Sequence, residues 1–362
     1  MSDDSSGIGP YQALFFVSFG GPDGPEDVIP FLENVTRGRG VPRERLEEVA
    51  ENYHLFGGRS PINEQNRALI AALEDELKGS GLDLPIYFGN RHWKPTLAEA
   101  LETMAADGIE RAVAFFTSAY SSYSGCRAYQ EDIERARSEV GERAPTVDKV
   151  RAFWNHPGFI EPMARNVADA LGRIDEAQRD RAVIAYTAHS IPESMSANCD
   201  YLAQLEDAAA LIDARLPGGP PSRLVFQSRS GPPQQPWLEP DIVAHLEALH
   251  AEGTRAVVVA PIGFICDHME VLYDLDTQAA QRAAELGMQM ERASTVGTDP
   301  AFVRMIVELI RERADPDLPP QTLGAFGPRR VPCAPGCCPA PQRPPAAGRP
   351  GAGRPSAGRP GA

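Results

Sequence analysis

Short apolar runs separated by helical patterns constrain this chain more than any other feature: ALFFVSF, PIYFGN, RAVAFFTSAY, RAVIAYTAHS, RLVFQS and RAVVVAPIGF. Each run is apolar at successive positions, the mark of a strand buried on both faces. Such strands need helical crossovers, so the alternation predicts an α/β architecture with parallel sheets. The plan also repeats. PIYFGNRHWKPTLAEALETMAADGIERAVAFFTSAYSSYS and RLVFQSRSGPPQQPWLEPDIVAHLEALHAEGTRAVVVAPIGFICDH each run strand, polar loop with Trp and Pro, amphipathic helix, Gly, an Arg-Ala-Val strand and a polar end. ALFFVSFGGP similarly echoes RAVIAYTAHSIP. The reading is two similar doubly wound, Rossmann-like halves, 11–150 and 181–315, joined by a helical crossover at 151–180, with a cleft between them. Residues 316–340 form a cysteine-containing extension. Disorder is expected at 1–10 and in the Ala-Gly-Arg-Pro repeats of 341–362, which lack the apolar bulk to offset their ordering entropy.

At 362 residues and 42% hydrophobic content, the chain can bury a core of two-domain size. With 35 basic against 50 acidic residues its formal charge is −15, which argues against nucleic acid and anionic membranes as general partners. An anionic ligand would need a local arginine patch, because exposed charges are screened beyond about 8 Å. No run approaches the ~20 apolar residues of a spanning helix, and the acidic start MSDDSSGIGPYQ is unlike a targeting peptide. A cytoplasmic monomer is the expectation, with the six cysteines as thiols or metal ligands rather than disulfides.

Ligands of doubly wound sheets gather beyond the carboxyl ends of the strands. SFGGP, TSAYSSYSGC, TAHSIP and DHMEVLYD should therefore line one cleft. In TAHSIP, His189 follows an apolar strand, where it serves either packing and capping or chemistry. In DHMEVLYDLD, a helix starting near Asp267 would align Asp267, Glu270 and Asp274 on one face. First-turn acids complement a helix dipole, which accounts for Asp267 but not for the two acids further along. A histidine and carboxylates converging from the two halves make an N/O site suited to Fe²⁺. Arg37 and Arg39, in the Gly-broken loop ENVTRGRGVP, are either solvated surface or a bidentate patch for substrate carboxylates. SFGGPDGP has neither Gly-x-Gly-x-x-Gly nor a Walker lysine, so no nucleotide is expected. Cys199 and Cys266 read as small packing residues. Cys333, Cys337 and Cys338 crowd VPCAPGCCPAP without a core to justify them. With Cys126 they offer four thiolates, enough for zinc or an iron-sulfur cluster.

Together FVSFGGPDGPEDVIPFLENVTRGRGVP, HLFGGRSPINEQNRALI, YFGNRHWKP, TSAYSSYSGCRAYQEDI, TAHSIP, QSRSGPPQQPWLEPDI and APIGFICDHMEVLYDLD resemble the ferrochelatase family, in particular its coproporphyrin-type actinobacterial members. The resemblance implies a class I chelatase-like fold and a lyase of haem biosynthesis that inserts Fe²⁺ into a porphyrin. His189 and Glu270 fall on the family's metal-site pair, with Asp267 and Asp274 as a path for the metal. Phe19, Arg37, Tyr53, Ser60 and Tyr129 fall on porphyrin contacts, and Arg39 shares the loop of Arg37. By the same resemblance Cys126, Cys333, Cys337 and Cys338 would hold a [2Fe-2S] cluster, and an iron donor or the next haem-pathway enzyme would be a partner. The chain departs from its relatives at Phe19, often Tyr there, at Gln278, where a carboxylate is common, and in its Cys-x-x-x-Cys-Cys spacing. Alternatives are insertion into protoporphyrin IX or another tetrapyrrole and, from a different class, a haem-binding or Fe-S redox-sensing module.

Overall fold

The computed structural model describes residues 8–232, 234–329 and 331–341. The disorder expected at the two ends therefore falls almost wholly outside the described residues. The first half contains β1 (Ala13–Ser18), α1 (Val28–Val35), α2 (Arg43–His54), α3 (Ile62–Gly79), β2 (Ile86–Asn90), α4 (Leu97–Ala106), β3 (Arg111–Phe116), α5 (Ala128–Val140) and β4 (Thr146–Lys149). The connection holds α6 (Pro157–Arg173) and α7 (Glu176–Arg179). Then come β5 (Val183–His189), α8 (Glu193–Ser196), α9 (Tyr201–Asp213), β6 (Ser222–Gln227), α10 (Ile242–Ala251), β7 (Ala256–Ala260), α11 (Met269–Val271), α12 (Ala280–Glu285), β8 (Gln289–Arg292) and α13 (Pro300–Ala314).

Each half builds a four-stranded parallel sheet, ordered β2-β1-β3-β4 and β6-β5-β7-β8. The expected doubling is thus present in the topology, strand for strand. It extends to detail. Lys94-Pro95 and Glu239-Pro240 are both cis, and each proline is followed by a residue whose side chain caps the next helix: Thr96 for α4, Asp241 for α10. Thr96 and Glu99 form a reciprocal capping box. The short edge strands TVDK and QMER escape a hydrophobic reading because neither has a fully buried residue.

Three apolar clusters explain the assembly. One lies on the outer face of the first sheet (Phe15, Leu101, Ile133), another on that of the second (Val257, Leu246, Leu275). The third joins the inner faces through Leu14, Phe115, Ile184 and Val258, with Phe159 of α6 and Phe302 of α13 between them. α13 closes the second half by sequence yet packs beside α3 of the first, with Arg313 paired to Asp148 at 2.7 Å. No helix among the described residues is long and apolar enough to cross a membrane.

Candidate active site at the strand ends of the second sheet

β5 and β7 are neighbours, so the segments leaving their carboxyl ends must meet. His189 is the last residue of β5, and Glu270 lies in the single-turn α11 that the loop after β7 feeds. His189 Nε2 stands 3.6 Å from Glu270 Oε2. The expectation that the pair would converge from opposite halves is corrected: both belong to the second sheet, because adjacent parallel strands deliver their ends to the same edge. The first half supplies the facing wall, and Tyr53 of α2 lies close enough to feel the charge of Glu270.

The two side chains remain 31% and 49% exposed although protein surrounds them, as in a cleft. Burial alone would push the imidazole down. The charge and hydrogen bond of Glu270, the Ser190 carbonyl at Nδ1 and the charge of Asp274 outweigh it, so His189 titrates above its ordinary range. Burial likewise disfavours the charged form of Glu270, but the imidazole of His189 reverses this and holds the carboxyl at about 2. Asp274 is pushed up to about 6 by burial, against the donation of Ser228, with Glu270 adding repulsion. Tyr201 donates to the carbonyl of His189 at 2.9 Å and anchors the strand end.

The acidic stripe is divided differently from the expected single face. The helix begins at Met269, capped by His268, whose Nδ1 accepts from Val271 N at 3.2 Å. From Leu272 to Ala279 it widens into a π-helix, a rare form that occurs frequently at functional sites. Asp267 precedes the helix and is held bidentately by Arg292 at 3.1 Å through both oxygens, and Arg292 also binds Asp276 at 2.6 Å. Those two acids are neutralised structural groups. Glu270 and Asp274 face the site.

The remaining expected contacts fall into two sets. Phe19 packs at a tilt on His92 at 4.5 Å and edge-to-face on Phe31 at 6.3 Å, beside the loop of Arg37 and Arg39. Both arginines are exposed; Arg37 donates to Asn34, while the charge of Arg39 reaches His92. Ser60 is 3% exposed and sits so close behind Gly21 that a Cβ there would come within 2.7 Å. Tyr129, 5% exposed, packs on Phe116 beneath the guanidinium of Arg91. Sequence reasoning passed over His92, His268, Gln227 and Ser228. His92 is held neutral down to about 3, first by burial and then by Arg91. The signal for His92 was its place just beyond β2, where ligands gather.

A cavity of about 430 Å³ opens between α2 and the π-helix, lined by Arg45, Asn52, Ser228, Arg229, Asp274 and Gln278 among others. It touches the site through Asp274 and does not include His189 or Glu270, so it flanks the imidazole–carboxylate pair.

The cysteines meet where the segment beyond α13 runs between Cys126 of the first half and Cys199 and Asp200 of the second. Cys126 lies in a second π-helical turn, Tyr123–Arg127, and its thiol engages Cys333 and Lys149. Cys333 is held below the ordinary thiol range, first by the Cys126 hydrogen bond and also by Lys149, and it engages Cys337, which engages Cys338. Among the described residues no three His, Cys, Asp or Glu side chains are disposed around one point to hold a metal ion.

A family model described as ferrochelatase matches residues 11–314. The chain is 54% identical over 351 residues to the coproporphyrin III ferrochelatase of Nocardia farcinica, covering 93% of this chain and 99% of that one. It is 54% identical over 345 residues to the ferrochelatase of Rhodopirellula baltica, covering 95% and 98%. Among solved structures, SirB from Bacillus subtilis with Fe3+ superposes with a TM-score of 0.51 at 14% identity, covering 84% of this chain and 96% of that one, a likeness of fold alone. The chain belongs to the ferrochelatase family.

Proposed function

We propose that this enzyme inserts ferrous iron into coproporphyrin III, with His189 and Glu270 as the metal-site pair. The observation that carries the reading is the 3.6 Å approach of imidazole and carboxylate at the open strand ends. Insertion requires two pyrrole N–H protons to leave and a hydrated cation to shed water. A flat macrocycle keeps its nitrogen lone pairs in its own plane, and distortion by the cleft walls, worth ~1–5 kcal/mol, exposes them. His189 accepts a pyrrole proton, and Glu270 orients the imidazole and balances the cation. Four substrate carboxylates match an open cleft edged by the exposed Arg37 and Arg39, and the similarity to the Nocardia farcinica protein supports the same substrate.

Given Fe²⁺ and coproporphyrin III anaerobically, the protein should yield the absorption bands of the metallated product, faster than with protoporphyrin IX. His189→Ala should bind porphyrin and not turn it over; substantial residual insertion would refute its role.

The thiols of Cys126, Cys333, Cys337 and Cys338 follow one another in a chain of contacts and match a [2Fe-2S] cluster in donor type alone, four soft ligands with Lys149 to balance negative charge; holding one requires them to close around a common centre. Those four residues would hold it, and it would supply one-electron redox capacity when bound. A visible spectrum of fresh protein tests this, the chromophore being absent in Cys333→Ser.

A further inference from the structure

Ser228 has φ +61°, one of two non-glycine residues with positive φ among those described. A side chain is uncommon there, and this one is used: the Ser228 hydroxyl donates to Asp274 Oδ2. Its neighbour Gln227 ends β6 directly opposite His189 in the sheet register. Gln227 is 1% exposed, and its Nε2 donates to the Glu270 carbonyl at 3.1 Å and to Asp274 Oδ2 at 3.4 Å. The end of β6 thus reaches the backbone of Glu270 and the carboxylate of Asp274, two acids of this segment that Arg292 does not hold.

We propose that Gln227 and Ser228 are positioning residues that fix the Asp274 carboxylate in line with Glu270, so that an incoming hydrated divalent cation meets two acids in sequence. The proposal rests on the iron-insertion reading above. Two carboxylates one wide turn apart repel each other, and without donors the shorter would turn outward toward the cavity that Ser228 and Asp274 both line. Gln227 sets the helix by its carbonyl, and Ser228 sets the side chain. Neither touches the reacting atoms, so the effect belongs to metal capture rather than to ring binding or proton transfer.

The test is steady-state kinetics on the full chain, with Fe²⁺ and porphyrin varied separately, for Ser228→Ala, Ser228→Gly, Asp274→Asn and the Ser228→Ala/Asp274→Asn double variant. Loss of a hydrogen bond to a charged group should raise KM for iron about tenfold in both Ser228 variants and leave KM for porphyrin within about twofold. The double variant should be no worse than Asp274→Asn alone. Ser228→Gly separates the hydroxyl from the backbone, because glycine adopts this φ freely and keeps the fold. An unchanged iron KM in Ser228→Gly overturns the proposal, as do equal changes in both KM values or additive losses in the double variant. Wild-type protein that inserts no iron would instead remove the functional reading.

Discussion

At His189 two opposing effects act on one proton. Enclosure by protein favours the neutral ring, and the adjacent carboxylate favours the cation more strongly, so the group titrates above its usual range. A raised histidine contributes stability fully below its unfolded pKa of about 6.5 and loses it as pH rises through the folded value. The depressed Glu270 contributes above about 4.5 and loses it as pH falls through about 2. The pair therefore steadies the fold most between these limits, while the proton-accepting role proposed for His189 needs the neutral imidazole and places activity on the alkaline side. The acid limb of kcat/KM should accordingly sit above pH 6.5. In Glu270→Gln, with kcat/KM down about 10²- to 10⁴-fold, the residual profile should move to lower pH. A pH profile of both proteins measures this; an unmoved limb would mean that another group sets it.

At the scale of elements, the segment after β7 shows how acids of similar appearance divide. Asp267 and Asp276 share Arg292, whose side chain is only 20% exposed. Arg292→Met would leave both carboxylates facing each other and cost about 1–3 kcal/mol, read as a fall in Tm of several degrees. The sequence showed that this stretch mattered, because acids came directly after a core strand where packing needs none. It could not show which acids were committed, since their partner lies on β8, an edge strand that is itself polar and short. Nor could it show the π-helix: hydrophobic spacing reports the average turn, whereas i→i+5 bonding is set by tertiary fit. Gln227 and Ser228 were invisible for a related reason, their role depending on a strand register that is settled only when the sheet forms. By contrast the doubled topology was fully legible, because strand, capped helix and strand recur in the same order in both halves.

For the whole molecule, the segment beyond α13 acts as a strap. Arg151, 5% exposed, pairs with Glu312 at 2.7 Å and donates to the Gln321 carbonyl, while buried Asn155 accepts the Leu323 amide at its own carbonyl and donates to Gly327. Arg329 pairs with Asp200 at the start of α9, and Cys333 reaches Cys126 in the first half. Arg151→Ala should leave Glu312 buried without its counterion and cost about 3–5 kcal/mol, measured by denaturant unfolding. The strap should then be cut by limited proteolysis before the sheets are.

Because imidazole and carboxylate stand on adjacent strand ends of a single sheet, their spacing is indifferent to how far apart the lobes rest. A wall that shifts to admit a broad, flat guest, or to let a buckled one go, leaves the imidazole and carboxylate in register. On the proposed reading, guest size and metal chemistry are thereby held by separate pieces of the same chain.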